Sequence, residues 1–260
     1  MTEDKNNHRS TNRVLDVLEL IASKQNGYTY TEICEKIDAP KSSMFPILHT
    51  LVDRHYLFID DKSRYKIDRA AFQVGNSYLE HLNFLEEAQN ILVNIVNRCA
   101  ETCHFAILSE GDVLYLKKID SPESIRMFSS VGKRIPAYGT ALGKALLMDY
   151  NLNELKKLYP NGLVPLTKNT IADFDQLQEQ LIKARMDGFA YEIEESNEFI
   201  RCIAVPVHHK GAIVAAISVA VPTFRYTEEK STLIKMLLSD AQNKLESILK
   251  NLDADFKHLI

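Results

Sequence analysis

The stretch PKSSMFPILHTL, residues 40–51, decides how the chain is to be read. Met44, Ile47, Leu48 and Leu51, with Val52 beyond, recur at the three- and four-residue steps of one helical face, so the spacing predicts an amphipathic helix. Pro46 sits inside it. A proline supplies no amide and its ring clashes with the carbonyl four residues back, so its effect depends on where the helix starts. With Ser42 or Ser43 as the N-cap, Pro46 is the fourth or third helical residue. At the third position its missing amide has no helical partner in any case, and at the fourth one bond is lost. A start at Pro40 predicts a kink instead.

Upstream, Val14, Val17, Leu18 and Ile21 make RVLDVLELIASK, Arg13 to Lys24, an amphipathic helix closed by Asn26-Gly27. Thr29 and Glu32 then have the T-x-x-E spacing of a capping box, with Ile33 and Ile37 sharing a face of the short helix that Asp38-Ala39-Pro40 ends. Downstream, Tyr56 to Ile59 and Arg64 to Ile67 read as two short strands around the polar turn Asp60-Asp61-Lys62-Ser63. Three helices and a hairpin describe a winged helix-turn-helix. The same pattern builds small dimerisation modules, and spacing alone leaves both open.

Composition narrows the class. A chain of 260 residues with 45% hydrophobic content fills one large or two ordinary cores. No apolar run approaches the roughly 18 residues of a membrane span, and MTEDKNNHRSTNR lacks the apolar centre of a signal peptide, so a cytoplasmic protein without a membrane partner is expected. The four cysteines, Cys34, Cys99, Cys103 and Cys202, match no zinc or redox spacing and are expected to be reduced and mostly buried. Residues 1–78 hold 11 basic and 11 acidic side chains, so the net charge of −4 lies in the remainder. Any contact with nucleic acid must come from local clusters such as Lys62, Arg64 and Lys66.

Residues 70–100 read as a long helical region interrupted near Gly75-Asn76 and near Asn83, a connector running into a second domain. Strands are then expected at Cys103 to Leu108, Val113 to Ile119 and Ile125 to Ser129, and a helix from about Thr140 to Tyr150. Helices follow at Leu152 to Leu158 and Phe174 to Asp187, and strands at Phe189 to Ile193, Arg201 to His208 and Ala212 to Val221. A last helix from about Thr227 to Asn251 carries Leu233, Met236, Leu237, Leu245 and Leu249 on its apolar side. The expected fold class is α+β. An N-terminal winged helix-turn-helix, 1–70, and a connector helix, 71–85, precede a sensor-like domain, 86–260, with a mainly antiparallel sheet.

Two segments can carry chemistry. In VGKRIPAYGTALGKALL, Gly139 and Gly143 mark a loop turning into a helix with Thr140 as cap, so the amides of Ala141 and Leu142 are candidates for holding a carboxylate; a packing role for the glycines is the alternative. In GFAYEIEESNEFIRCIAVPV, strand alternation puts Cys202 and Ala204 on one face, and AAISVAV puts Ser218 and Ala220 on one face. An apolar pocket with a few donors suits a small organic acid. Cys202 with His104, His208 or His209 and a glutamate also has the ingredients of a cysteine-dependent enzyme, though without local context. Metal binding by His208-His209 is disfavoured because neighbours on a strand point to opposite faces. No cofactor is expected.

Taken in order, RVLDVLELIA, PKSS, LVDRHYL, RYKI, VGKRIPAYGTALGKALL, GFAYEIEE, IRCIAVPV and AAISVAVP resemble the IclR family of bacterial transcriptional regulators, from about Arg13 to Tyr226. The resemblance implies a dimer, or a dimer of dimers, gripping double-stranded operator DNA through paired winged domains, and a C-terminal GAF-like sensor domain taking a small metabolite, so that 86–260 is an effector-binding and oligomerisation domain. DNA contacts would fall on Lys41, Ser42, Ser43, Phe45 and His49 of the helix and on Lys62 and Arg64 of the wing. The effector's carboxylate would meet Ala141 and Leu142, with Glu192, Cys202, Ser218 and Ala220 completing the site. A repressor released by its ligand is the function implied. A metabolite-binding module with impaired DNA binding is the alternative, which Pro46 and the neutral N-terminal charge suggest. Glu192 stands where the family usually has aspartate, Ala220 where some members have serine, and Pro46 where a basic residue is common.

Overall fold

A computed structural model of the chain describes residues 8–80 and 84–251. It divides into two compact units, one up to Asn83 and one from Phe84.

The first unit runs α1 (Arg9–Ala22), β1 (Tyr28–Thr29), α2 (Tyr30–Lys36), α3 (Lys41–Asp53), β2 (Leu57–Ile59), β3 (Arg64–Ile67) and α4 (Arg69–Glu80). Val17 and Ile21 of α1, Ile33 of α2, and Met44 and Leu48 of α3 close on Leu57 to form its core. The capping box is present: Glu32 N donates to Thr29 Oγ1, and Thr29 N donates to Glu32 Oε2 at 2.7 Å. The three strands pair antiparallel in the order β1-β3-β2, placing the hairpin beside the helices. Strand β1 is only two residues long, too short for period-two alternation to mark it. Gly27 lets it approach, since a Cβ there would lie 2.3 Å from the Tyr65 carbonyl oxygen.

One feature differs from expectation. Helix α4 passes through Gly75-Asn76 without a break. A Cβ at Gly75 would meet nothing within 4 Å, so this glycine only weakens an exposed turn, by about 1 kcal/mol relative to alanine. The interruption expected near Asn83 lies outside the described residues.

The second unit begins with α5 (Phe84–Cys99), β4 (Thr102–Ser109), β5 (Asp112–Ile119), β6 (Arg134–Pro136) and α6 (Ala141–Leu146). It continues with α7 (Leu152–Leu158), α8 (Phe174–Asp187), β7 (Ala190–Ile193), β8 (Ile200–His209), β9 (Ala212–Pro222) and α9 (Glu228–Asn251). One antiparallel sheet, ordered β6-β5-β4-β9-β8-β7, is packed by α5 and α9 on one side and by α6 and α8 on the other. Alternation gives those faces different residues. Ala106, Ala190, Ala204, Ala216 and Ala220 join the cluster that includes α6 and α8, while the intervening Phe105, Ile203, Val205, Ile217 and Val219 are buried on the opposite face. The alanines allow α6 to lie close to the sheet.

Three expectations are corrected here. Ile125 to Ser129 is not a strand, and the edge of the sheet is β6 instead. Of its apolar residues Ile125 and Phe128 are exposed and Met127 is buried, so they do not share a buried face; Ser129 is buried too, and the segment is tied down by Lys118 Nζ donating to the Ser129 carbonyl at 2.6 Å. Helix α6 ends at Leu146, with Leu147 as its C-cap. On α9 Met236 is exposed and Leu233 half-buried, and the buried seam is Ile234, Leu237, Leu238, Ala241, Leu245 and Leu249. Among the described residues no helix is long and apolar enough to cross a membrane.

Candidate functional site

The short helix α6 is built to end in a cavity. Thr140 caps it, its Oγ1 accepting from Gly143 N at 2.9 Å, which leaves the amides of Ala141 and Leu142, the first two of the helix, without helical acceptors. The chain folds so tightly there that a Cβ on Gly143 would lie 2.0 Å from the Ala137 carbonyl oxygen. Ala141 and Leu142 face a cavity of about 10 Å³, whose lining includes Glu192 on β7, Cys202 on β8 and Ser218 on β9. Sheet register brings these together: Glu192 lies opposite Cys202, which lies opposite Ala220, and Ser218 lies opposite both Ala204 and His104. Ala220 is buried in this row and packs in the core without lining the cavity.

Four further residues line it: His104, Tyr115, Met127 and Thr140. Thr140 was legible as a cap. His104 and Tyr115 lie in strands whose inward faces alternation identifies, but which of those residues meet α6 depends on strand order. Met127 comes from the segment taken for a strand.

The lining is polar but largely uncharged. Burial, with Lys118 nearby, pushes His104 down to about 3, so its imidazole is neutral; Nε2 lies 2.7 Å from Ser129 Oγ. Burial pushes the Tyr115 phenol up, and its ring lies 5.0 Å from that of His104. Burial also pushes the Cys202 thiol well up, and Glu192 adds to the shift, so this sulfur stays protonated and is a poor nucleophile. Glu192 Oε1 accepts from Ser196 N at 2.8 Å and from Ser196 Oγ at 2.6 Å. Behind the cavity, Lys144 Nζ donates to Glu195 Oε1 at 2.6 Å, to Gln180 Oε1 at 2.7 Å and to the Tyr191 carbonyl at 3.0 Å. Burial works against both charges, pushing Lys144 down and Glu195 up, and their attraction opposes both shifts. All four cysteines are free and buried. His208 is held by Glu246, with Nδ1 2.8 Å from Oε1, and no set of three His, Cys, Asp or Glu side chains that could hold a metal occurs among the described residues.

The second site is the outer face of α3. Its N-cap is Pro40, so neither Ser42 nor Ser43 caps the helix; the Ser43 hydroxyl donates to the Pro40 carbonyl at 2.8 Å. Pro46 is therefore the sixth helical residue, and the Ser42 carbonyl lacks its usual donor. Both residues are exposed, where water can serve that oxygen, and the helix is continuous from Lys41 to Asp53. Lys41, Phe45 and His49 share the exposed face, with His49 Nδ1 2.9 Å from Asp53 Oδ2, while Ser43 is half-buried. In the wing, Lys62 is exposed in a turn that Asp60 closes. Arg64 is engaged within the unit, Nη1 donating to the Gly27 carbonyl at 3.2 Å and lying 3.4 Å from Glu32 Oε2.

Residues 10–58 match the IclR helix-turn-helix domain, and residues 76–246 match the C-terminal domain of bacterial transcriptional regulators of the IclR type. The HTH-type transcriptional regulator KdgR of Escherichia coli is 29% identical over 238 residues, covering 90% of each chain. A crystal structure of an IclR transcriptional regulator from Alicyclobacillus acidocaldarius superposes with a TM-score of 0.83 at 22% identity, over 94% of this chain and 99% of that one. An IclR homologue from Microbacterium hydrocarbonoxydans, crystallised with 4-hydroxybenzoate, superposes with a TM-score of 0.80 at 19% identity, over 92% and 99%. The matched relatives are regulators and not enzymes, in keeping with the inert thiol of Cys202. Two family domains in sequence, each on the fold it belongs to, make this chain a DNA-binding member of the IclR family of bacterial transcriptional regulators.

Proposed function

We propose that the protein is a cytoplasmic repressor whose hold on its operator weakens when a small organic acid binds beneath α6. The observation that carries this reading is the convergence of Ala141, Leu142, Glu192, Cys202 and Ser218, from four separate segments, on one cavity. The amides of Ala141 and Leu142 take the carboxylate. Ser218 and Glu192 bond its polar substituents, and Ala220 backs Cys202 from the neighbouring strand. The cavity as formed holds about one water molecule, so the acid occupies a widened form of it. The Microbacterium homologue's 4-hydroxybenzoate puts aromatic acids among those worth testing.

On the DNA side, α3 lies in the major groove with Lys41, Ser42, Ser43, Phe45 and His49 toward the bases, and Lys62 and Arg64 of the wing toward phosphates. The chain works as a dimer or a dimer of dimers on a palindromic site. An acid that binds one arrangement of the assembly better shifts the population and with it the spacing of the paired helices.

A thermal-shift screen of small aliphatic and aromatic acids tests the cavity. An acid at 100 times its dissociation constant adds about 2.7 kcal/mol of stability. Ser218→Ala should reduce that gain, and an unchanged gain would place the site elsewhere. Fluorescence anisotropy on the DNA upstream of the protein's own gene tests the rest: affinity should fall with salt and with the acid, and salt-insensitive binding would sink the regulator reading.

A further inference from the structure

The exposed face of α3 has few groups able to read a base by hydrogen bonding. The Ser43 hydroxyl donates to the Pro40 carbonyl at 2.8 Å, and the Thr50 hydroxyl donates to the Pro46 carbonyl at 2.7 Å. His49 has Nδ1 2.9 Å from Asp53. Pro46 has no amide and no polar side chain. Arginine, asparagine and glutamine, the usual bidentate readers of guanine and adenine, are missing from Lys41–Asp53 altogether. Lys41, Ser42 and the outer nitrogen of His49 remain, the first two at the start of the helix.

What the middle of the face presents is apolar. Phe45 is 62% exposed, beside the exposed Pro46, and its ring centroid lies 6.0 Å from that of His49. In the free protein this arrangement stabilises little: most of the phenylalanine stays in water, its contact with His49 is a surface one, and the proline removes a helical bond. In a major groove, the one apolar group on a base edge is the 5-methyl of thymine, and phenylalanine is among the side chains that meet it.

Resting on the reading of α3 as the DNA-reading helix, we infer that Phe45, with Pro46 beside it, is a specificity-determining residue that selects thymine through its 5-methyl group. The wing then holds the backbone, Lys41 reads at the start of the helix, and the central bases are chosen by shape and apolar contact.

The test begins with duplexes selected from a randomised pool by the full-length protein. Each thymine of the selected sequence is replaced in turn by deoxyuracil, which keeps every hydrogen-bonding group and lacks only the methyl. Binding should weaken about fourfold at one position or more, the effect of exposing one methyl group. The same replacement should cost nothing in Phe45→Ala or in Phe45→Gln, both at an exposed position where folding is not at risk. 5-Methylcytosine should outbind cytosine at that position in the unmodified protein only. A pool that yields no preferred sequence, a uracil series with no penalty, or a penalty that survives Phe45→Ala each overturns the inference. If Lys41→Ala, Phe45→Ala and His49→Ala all select the same sequence with the same affinity as the parent, the assignment of α3 itself fails.

Discussion

Lys144 and Glu195 form an ion pair at 2.6 Å between α6 and the turn after β7, with side chains 2% and 7% exposed. The pair lies directly behind the residues that line the cavity, and Glu195 Oε2 is buried without a hydrogen-bond partner. Removing one member of such a pair leaves the other's charge buried and uncompensated. Lys144→Met should therefore lower stability by about 3 to 5 kcal/mol in urea titrations, and Lys144→Met with Glu195→Leu should recover most of it. A single substitution as mild as a surface one would show that water reaches the pair.

Acid should destabilise the protein partly through His104. Its native form takes a proton only near about pH 3, whereas a histidine in the unfolded chain takes one near 6.5. The unfolded chain binds more protons between those values, so this contribution is complete above about 6.5. It drains as pH falls toward 3, at up to about 1.4 kcal/mol per unit. Denaturation curves of the parent and of His104→Gln, compared between neutrality and about pH 4, should show the shallower pH dependence in the variant. Parallel curves would contradict the burial of a neutral imidazole.

Gly143→Ala tests the tight fold at the head of α6. The added carbon would lie 2.0 Å from the Ala137 carbonyl oxygen, and that oxygen is backbone. A loss of roughly 1 to 3 kcal/mol is expected from overpacking alone, together with a loss of acid binding in the thermal-shift assay. Thr140→Ala, which removes the cap, should cost about 1 kcal/mol.

Pro46→Ala should stabilise the N-terminal unit. It restores the amide that the Ser42 carbonyl lacks and removes the ring from the sixth helical position. A proline in a helix interior costs up to about 3 kcal/mol, and exposure of both residues reduces that, so a rise of roughly 1 to 2 kcal/mol in thermal unfolding is expected. DNA binding should weaken in the same variant if Pro46 shares in reading the groove.

Most elements were legible in the sequence because each has a strong local signal. The Thr29/Glu32 box, the three-four spacing of Met44, Leu48 and Leu51, and the alternation along Ile200–His209 and along Ala212–Pro222 each act within a single element. What escaped depends on partners distant in the chain. The segment around Met127 has strand-like composition, but its shape is set by Lys118 and His104 reaching Ser129. The seam of α9 is turned toward Ile234 and Leu238 by the sheet it covers. The cavity was half visible: Ala141, Leu142, Glu192, Cys202 and Ser218 lie in recognisable strings, whereas His104 and Tyr115 join them only through the order of strands β5, β4 and β9. The N-cap of α3 stayed open between Pro40, Ser42 and Ser43, since proline carries no side-chain acceptor to announce it.

The size of the cavity bears on how such a regulator would be tuned. On the proposed reading, a site of about 10 Å³ would be occupied only in a widened form, and the apparent affinity would be the intrinsic one scaled by the fraction of molecules in that form. The concentration of acid needed would then be a property of the closed form's stability as much as of the contacts made. Substitutions at Ser129 or Lys118, which touch no ligand, become a dial for sensitivity: loosening the segment should let the same acid act at lower concentration.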